Sequence, residues 1–70
     1  MMTRGNEVSL VFPMTLELAG NRSRYQAGQV SGVIVDLRNS LIAGFTLSEA
    51  QVKIGQDRVW IPISALKEID

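Results

Sequence analysis

Apolar residues fall at every second position from Val8 to Leu18. They are Val8, Leu10, Phe12, Met14, Leu16 and Leu18, with Ser9, Thr15 and Glu17 between them. That period belongs to a strand with one covered face. Pro13 interrupts it and has no N–H to give to a ladder. The segment therefore predicts two strands meeting at a bend, or an edge strand. Val11 is apolar out of phase. Ala19-Gly20-Asn21 reads as a turn, because Gly and Asn tolerate positive φ. The polar stretch Arg22 to Gln26 then reads as a loop.

A second run, Val30 to Leu37, is rich in β-branched residues, which crowd a helix and suit a pleated surface. Gly32 within it predicts a bulge or a close backbone approach. Asp36, Arg38, Asn39 and Ser40 read as its end. Leu41 to Leu47 fits two patterns: Leu41, Ile42 and Phe45 have helical spacing, while Phe45 and Leu47 alternate as in a strand. Ser48-Glu49-Ala50 reads as a turn. Val52 and Ile54 then share one strand face, Gly55-Gln56-Asp57 is of hairpin type, and Val59 and Ile61 share the next inner face. Trp60 lies out of phase with them and should point to the other face. Pro62 closes that strand and can open a helical turn. Ile63, Leu66 and Ile69, three apart, fit one such turn, with room for a last short strand. The expectation is an all-β chain: a small SH3-like barrel or rolled antiparallel sheet of about five short strands with one short C-terminal helical turn. Residues 1–70 make one domain, with 1–6 a flexible tail.

Composition narrows the chemistry. Seventy residues bury a smaller fraction of their surface than a larger domain does, and small cores usually need a supplement. With no cysteine and no histidine there is no disulfide, no common zinc site and no Ser-His or Cys-His nucleophile. Self-association is the supplement that remains. Seven basic residues balance seven acidic ones, so no net field draws in nucleic acid or an anionic membrane. No apolar run has the length of a membrane span, and Met1 to Glu7 lacks the apolar core of a signal peptide. A cytoplasmic protein is expected, with no metal, no cofactor and no catalytic residue assigned.

Two sets of side chains stand out. Arg22, Arg24 and Tyr25 form the one basic cluster. As a ligand site they would hold an anion or a single strand of nucleic acid, with the tyrosine stacking. Otherwise they are a solvated loop whose tyrosine packs on the end of the sheet. Val11, Ile34 and Trp60 are apolar where the phase expects the outer face. They therefore predict a second covered surface, a subunit interface or a ligand platform, unless the phase is inverted and Trp60 belongs to the core.

The stretch Val59-Trp60-Ile61-Pro62-Ile63-Ser64-Ala65-Leu66-Lys67-Glu68-Ile69-Asp70 resembles the end of the type II dihydrofolate reductases, and Val11-Phe12-Pro13 and Gly28-Gln29-Val30 are similar to segments of the same family. Those enzymes are small SH3-like barrels carried on plasmids and integrons, working as tetramers around one pore. The resemblance implies the fold and a tendency to oligomerise. It does not carry over the activity, because Trp60 stands where the family has its pore glutamine and the pore tyrosine has no counterpart before Pro62. The expected function is a non-enzymatic binding module that associates with itself and takes an unspecified small-molecule or protein ligand. The alternatives are a pore-type reductase and a nucleic-acid-binding barrel using the Arg22-Arg24-Tyr25 loop.

Overall fold

The computed structural model describes residues 2–69. Seven strands and one 3₁₀ turn follow each other along the chain: β1 (Glu7–Leu10), β2 (Met14–Leu18), β3 (Asn21–Tyr25), β4 (Ser31–Ile42), β5 (Phe45–Ile54), β6 (Asp57–Pro62), the turn Ile63–Ala65, and β7 (Leu66–Glu68). They form two antiparallel sheets. One has five strands in the order β6-β5-β4-β1-β7, and the other is the β2-β3 hairpin. The chain is all-β, as the period-two segments and the missing helical pattern predict. Among the described residues no helix is long and apolar enough to cross a membrane.

Alternation sorts the residues onto an inner face. Val8 and Leu10 of β1, Leu16 of β2, Ile34 of β4, Ala50 and Val52 of β5, Ile61 of β6, and Ala65 and Leu66 near the C-terminus are all buried in one core. Met14, Leu18 and Tyr25 bring the small hairpin onto it from the other side. Pro13 separates β1 from β2 as expected. Past that bend Val11 donates its N–H to the Ala65 carbonyl at 2.9 Å, which ties the first strand to the closing turn.

Gly32 leaves no room for a side chain. A Cβ there would press on the Lys53 carbonyl oxygen and lie 2.7 Å from Val52 Cγ1, so only a glycine lets β5 pass so close. Two residues on, the register slips between Ile34 and Asp36. Val35 is the extra residue of a bulge, and bulges add twist.

Several expectations are corrected. Arg22 to Tyr25 is not a loop but most of β3, paired residue for residue with β2. The Ile34 side chain is 1% exposed and belongs to the core, so it is not available to an interface; Val33, at 38%, takes the outer face instead. Before the Val35 bulge the phase of β4 is the reverse of that expected; past it Leu37 packs on the core. β4 does not end at Asp36 to Ser40 but runs on to Ile42, and Ser48-Glu49-Ala50 is the interior of β5 rather than a turn. Thr3 to Asn6 forms a turn that is hydrogen-bonded to β4. Gly5 donates to the Ile34 carbonyl at 2.8 Å and Ile34 donates back to the Asn6 carbonyl at 3.0 Å.

Candidate functional site

β4 and β5 are much longer than their neighbours. β1 pairs with β4 only over Ser31 to Val33, and β6 pairs with β5 only from Glu49 to Ile54. Residues 39–48 therefore pair with nothing but each other, through Asn39↔Ser48, Ser40↔Leu47, Leu41↔Thr46 and Ile42↔Phe45. They form a two-stranded arm that projects past the core. The Ala43-Gly44 turn at its tip has φ of 49° and 82°. Two positive φ values in a two-residue loop match a type I′ turn, whose twist suits a hairpin. An alanine in that region is uncommon and strained.

The arm has a charged base and an apolar end. At the base, Arg38 Nε donates to Glu49 Oε1 at 3.0 Å. The Arg38 guanidinium also lies over the Trp60 ring, 4.0 Å from its centroid, in cation–π geometry. Below it, Arg4 Nη2 donates to Asp36 Oδ1 at 2.9 Å, and the Leu37 N–H donates to the same oxygen at 2.9 Å. The Arg4 hydrogen bond first, and the Leu37 backbone bond second, hold the Asp36 carboxyl below the usual aspartate range. Above the base the chemistry changes. Asn39-Ser40-Leu41-Ile42-Ala43-Gly44-Phe45-Thr46-Leu47-Ser48 has no charged residue. Leu41 is 76% exposed, Phe45 77% and Ile42 56%. Ile42 and Phe45 share one face of the ribbon, and Leu41 is on the other. With no core behind it, neither face is sorted inward.

The sequence-based candidates are dispersed. Arg22 and Arg24 lie together on the exposed face of β3, opposite Glu17 and Thr15. Tyr25 is opposite Met14 on the other face, where both pack on the core. The three residues do not form one stacking site, and the packed-tyrosine alternative fits Tyr25. Trp60 does point away from Val59 and Ile61, as its phase predicts, but it is half-buried beneath Arg38. Val11 is 39% exposed beside Phe12 at the β1–β2 bend, near Val30 and thus at the far end of β4 from the arm. Val11, Ile34 and Trp60 thus lie in three separate places. Sequence reasoning missed the arm because Leu41 to Leu47 was legible only as an undecided apolar stretch. Its ten-residue lack of charge was the available signal.

No pocket forms among the described residues, and no three acidic side chains converge there. No protein-family model, curated protein or solved structure matches the chain, so function has to be read from this geometry.

Proposed function

We propose that this chain is a non-catalytic interaction module of SH3-like architecture that acts by associating with itself, and that the β4–β5 arm is its contact element. The observation that carries the reading is the exposure of Leu41, Ile42 and Phe45 on a ribbon without charge. Single exposed apolar residues are ordinary. A contiguous group on a projecting element marks an interaction surface. An isolated two-stranded ribbon is also marginal in water, and a partner supplies what it lacks. The architecture is supported by the strand order β6-β5-β4-β1-β7, with a hairpin inserted after the first strand and a 3₁₀ turn before the last. Fold alone would not argue a function. The arm does, because it has no role in the chain's own core.

The reading carries over the fold and oligomeric habit of the type II reductases that the C-terminal stretch resembles, without their activity. Light scattering over a dilution series tests it. The expected mass is above the 7.7 kDa of one chain at micromolar protein and returns toward it on replacing Leu41, Ile42 and Phe45 with serine. A wild-type chain monomeric at every concentration would defeat the proposal.

A further inference from the structure

Unpaired strand edges pair with other chains unless something prevents it, and charged side chains on the edge strand are a common guard. The small hairpin is guarded by Arg22 and Arg24 on β3 and Glu17 on β2. In the five-stranded sheet, β6 carries Asp57 and Arg58, and β7 carries Lys67 and Glu68. The arm is the exception, with no charge and no proline between Asn39 and Ser48. Its two outer edges differ. The β5 edge is short, because β6 reaches Glu49 through Pro62 and the 3₁₀ turn follows at once. The β4 edge is longer. β1 and the Gly5–Asn6 backbone cover it only as far as Ile34, and Arg4 reaches Asp36.

Resting on the self-association proposed above, we infer that the free edge of β4 pairs antiparallel with the β4 edge of a second copy, joining two arms into one four-stranded ribbon about a two-fold axis near Ser40. Between Asn39 and Ile42 that edge carries no charge, which fits a second copy. In a two-fold pairing each residue type meets the same stretch reversed, and a charged edge meets like charge at some registers. Centring the pairing on Ser40 sets Asn39 opposite Leu41 and Arg38 opposite Ile42. Arg38 then meets an apolar neighbour rather than its own copy, and its aliphatic stem covers part of the exposed Ile42. The Ile42–Phe45 row of one copy continues into the Arg38–Glu49 row of the other, beside the Trp60 that lies under Arg38. An isologous contact of this kind closes at a dimer.

The absence of native cysteine makes the test direct. Single cysteines are placed in turn at Asn39, Ser40 and Leu41 of β4, at Thr46 of β5, at Ser23 of β3 and at Lys67 of β7. Each variant is oxidised gently at a concentration where the wild type associates. Disulfide-linked dimer is expected from Ser40, which faces its own copy, more than from Asn39 and Leu41, which lie one diagonal away from theirs, and not from the other three. A second pair of variants reads the register by sign. Ile42→Lys would face the partner's Arg38 with like charge and should weaken the dimer more than Ile42→Glu, which faces it with opposite charge. Equal weakening by the two would reject the Ser40-centred register. An associating wild type that cross-links through β3, β5 or β7, or whose mass grows without limit, would overturn the β4 pairing and leave self-association standing. A wild type that never associates would overturn both.

Discussion

Gly32 and Asp36 lie four residues apart on β4 and do different work. Gly32 has an ordinary strand conformation, and its constraint is the Lys53 carbonyl and the Val52 side chain packed where a Cβ would go. Backbone cannot retreat as a side chain tip can. Gly32→Ala should therefore behave as overpacking and destabilise the fold by about 1–3 kcal/mol, read from the shift in urea midpoint at unchanged slope. A smaller change would mean that β5 can move away from β4. Asp36 is a surface group whose role is electrostatic. Its carboxyl is held below the usual 3.8 by the Arg4 hydrogen bond and then by the Leu37 N–H. A depressed folded value means that the carboxylate contributes stability above the unfolded value, and that the contribution is lost as pH falls through the folded value. Arg4→Gln should raise the midpoint of the Asp36 carboxyl titration, followed by NMR, and blunt the loss of stability at acid pH. The pair is exposed, so the effect on stability at neutral pH should be small.

At the scale of elements, the parts that alternate over a covered face could be read from the sequence, and the parts without such a face could not. β1, β2, β6 and the closing turn are legible because Val8, Leu10, Leu16 and Ile61 must all reach one core. β3 was hidden. Asn21-Arg22-Ser23-Arg24-Tyr25 offers the core only a half-buried tyrosine, and its pairing with β2, not its own composition, makes it a strand. Ala50 was hidden for another reason. Next to Ser and Glu it resembles a turn, yet it is fully buried between Leu37 and Ile61, where the inner face admits a small side chain. The arm defeats period counting because apolar residues occupy both of its faces. Arg22→Thr with Arg24→Thr should leave stability within about 0.5 kcal/mol, since both side chains lie in solvent and threonine suits a strand. A larger loss in thermal denaturation would show that the arginines hold the hairpin on the sheet. Ala43→Asn should raise stability by about 1 kcal/mol, because Asn-Gly accepts the two positive φ values that Ala43 adopts at a cost. No gain would place the strain elsewhere in the ribbon.

For the whole molecule the question is how seventy residues without disulfide or metal-binding histidine reach a stable fold. The core of one copy is small, and the arm makes the chain more extended than its length requires. The Cα radius of gyration is 11.7 Å, against about 11 Å expected for a domain of this size. If the proposed self-association holds, a second copy covers the ten uncharged residues outside the core, and stability and association become one equilibrium. This has a consequence that a monomer cannot imitate. If dimers persist up to unfolding, the thermal midpoint must depend on protein concentration. Each tenfold dilution should lower it by about 5 °C, since about 1.4 kcal/mol per dimer acts against roughly 0.3 kcal/mol/K of unfolding entropy for two chains. The variant with serine at positions 41, 42 and 45 should melt at one temperature whatever its concentration, close to that of the wild type at extreme dilution. Its strands should persist by circular dichroism, because all three side chains lie outside the core. Trp60, the single tryptophan, gives a second readout through the Arg38 that covers it at the base of the arm. Its emission should move red as the wild type is diluted and stay fixed in the variant. A midpoint independent of concentration in the wild type, together with Trp60 emission that dilution does not move, would mean that the core of one copy suffices, and that the apolar arm serves some contact other than a second copy of this chain.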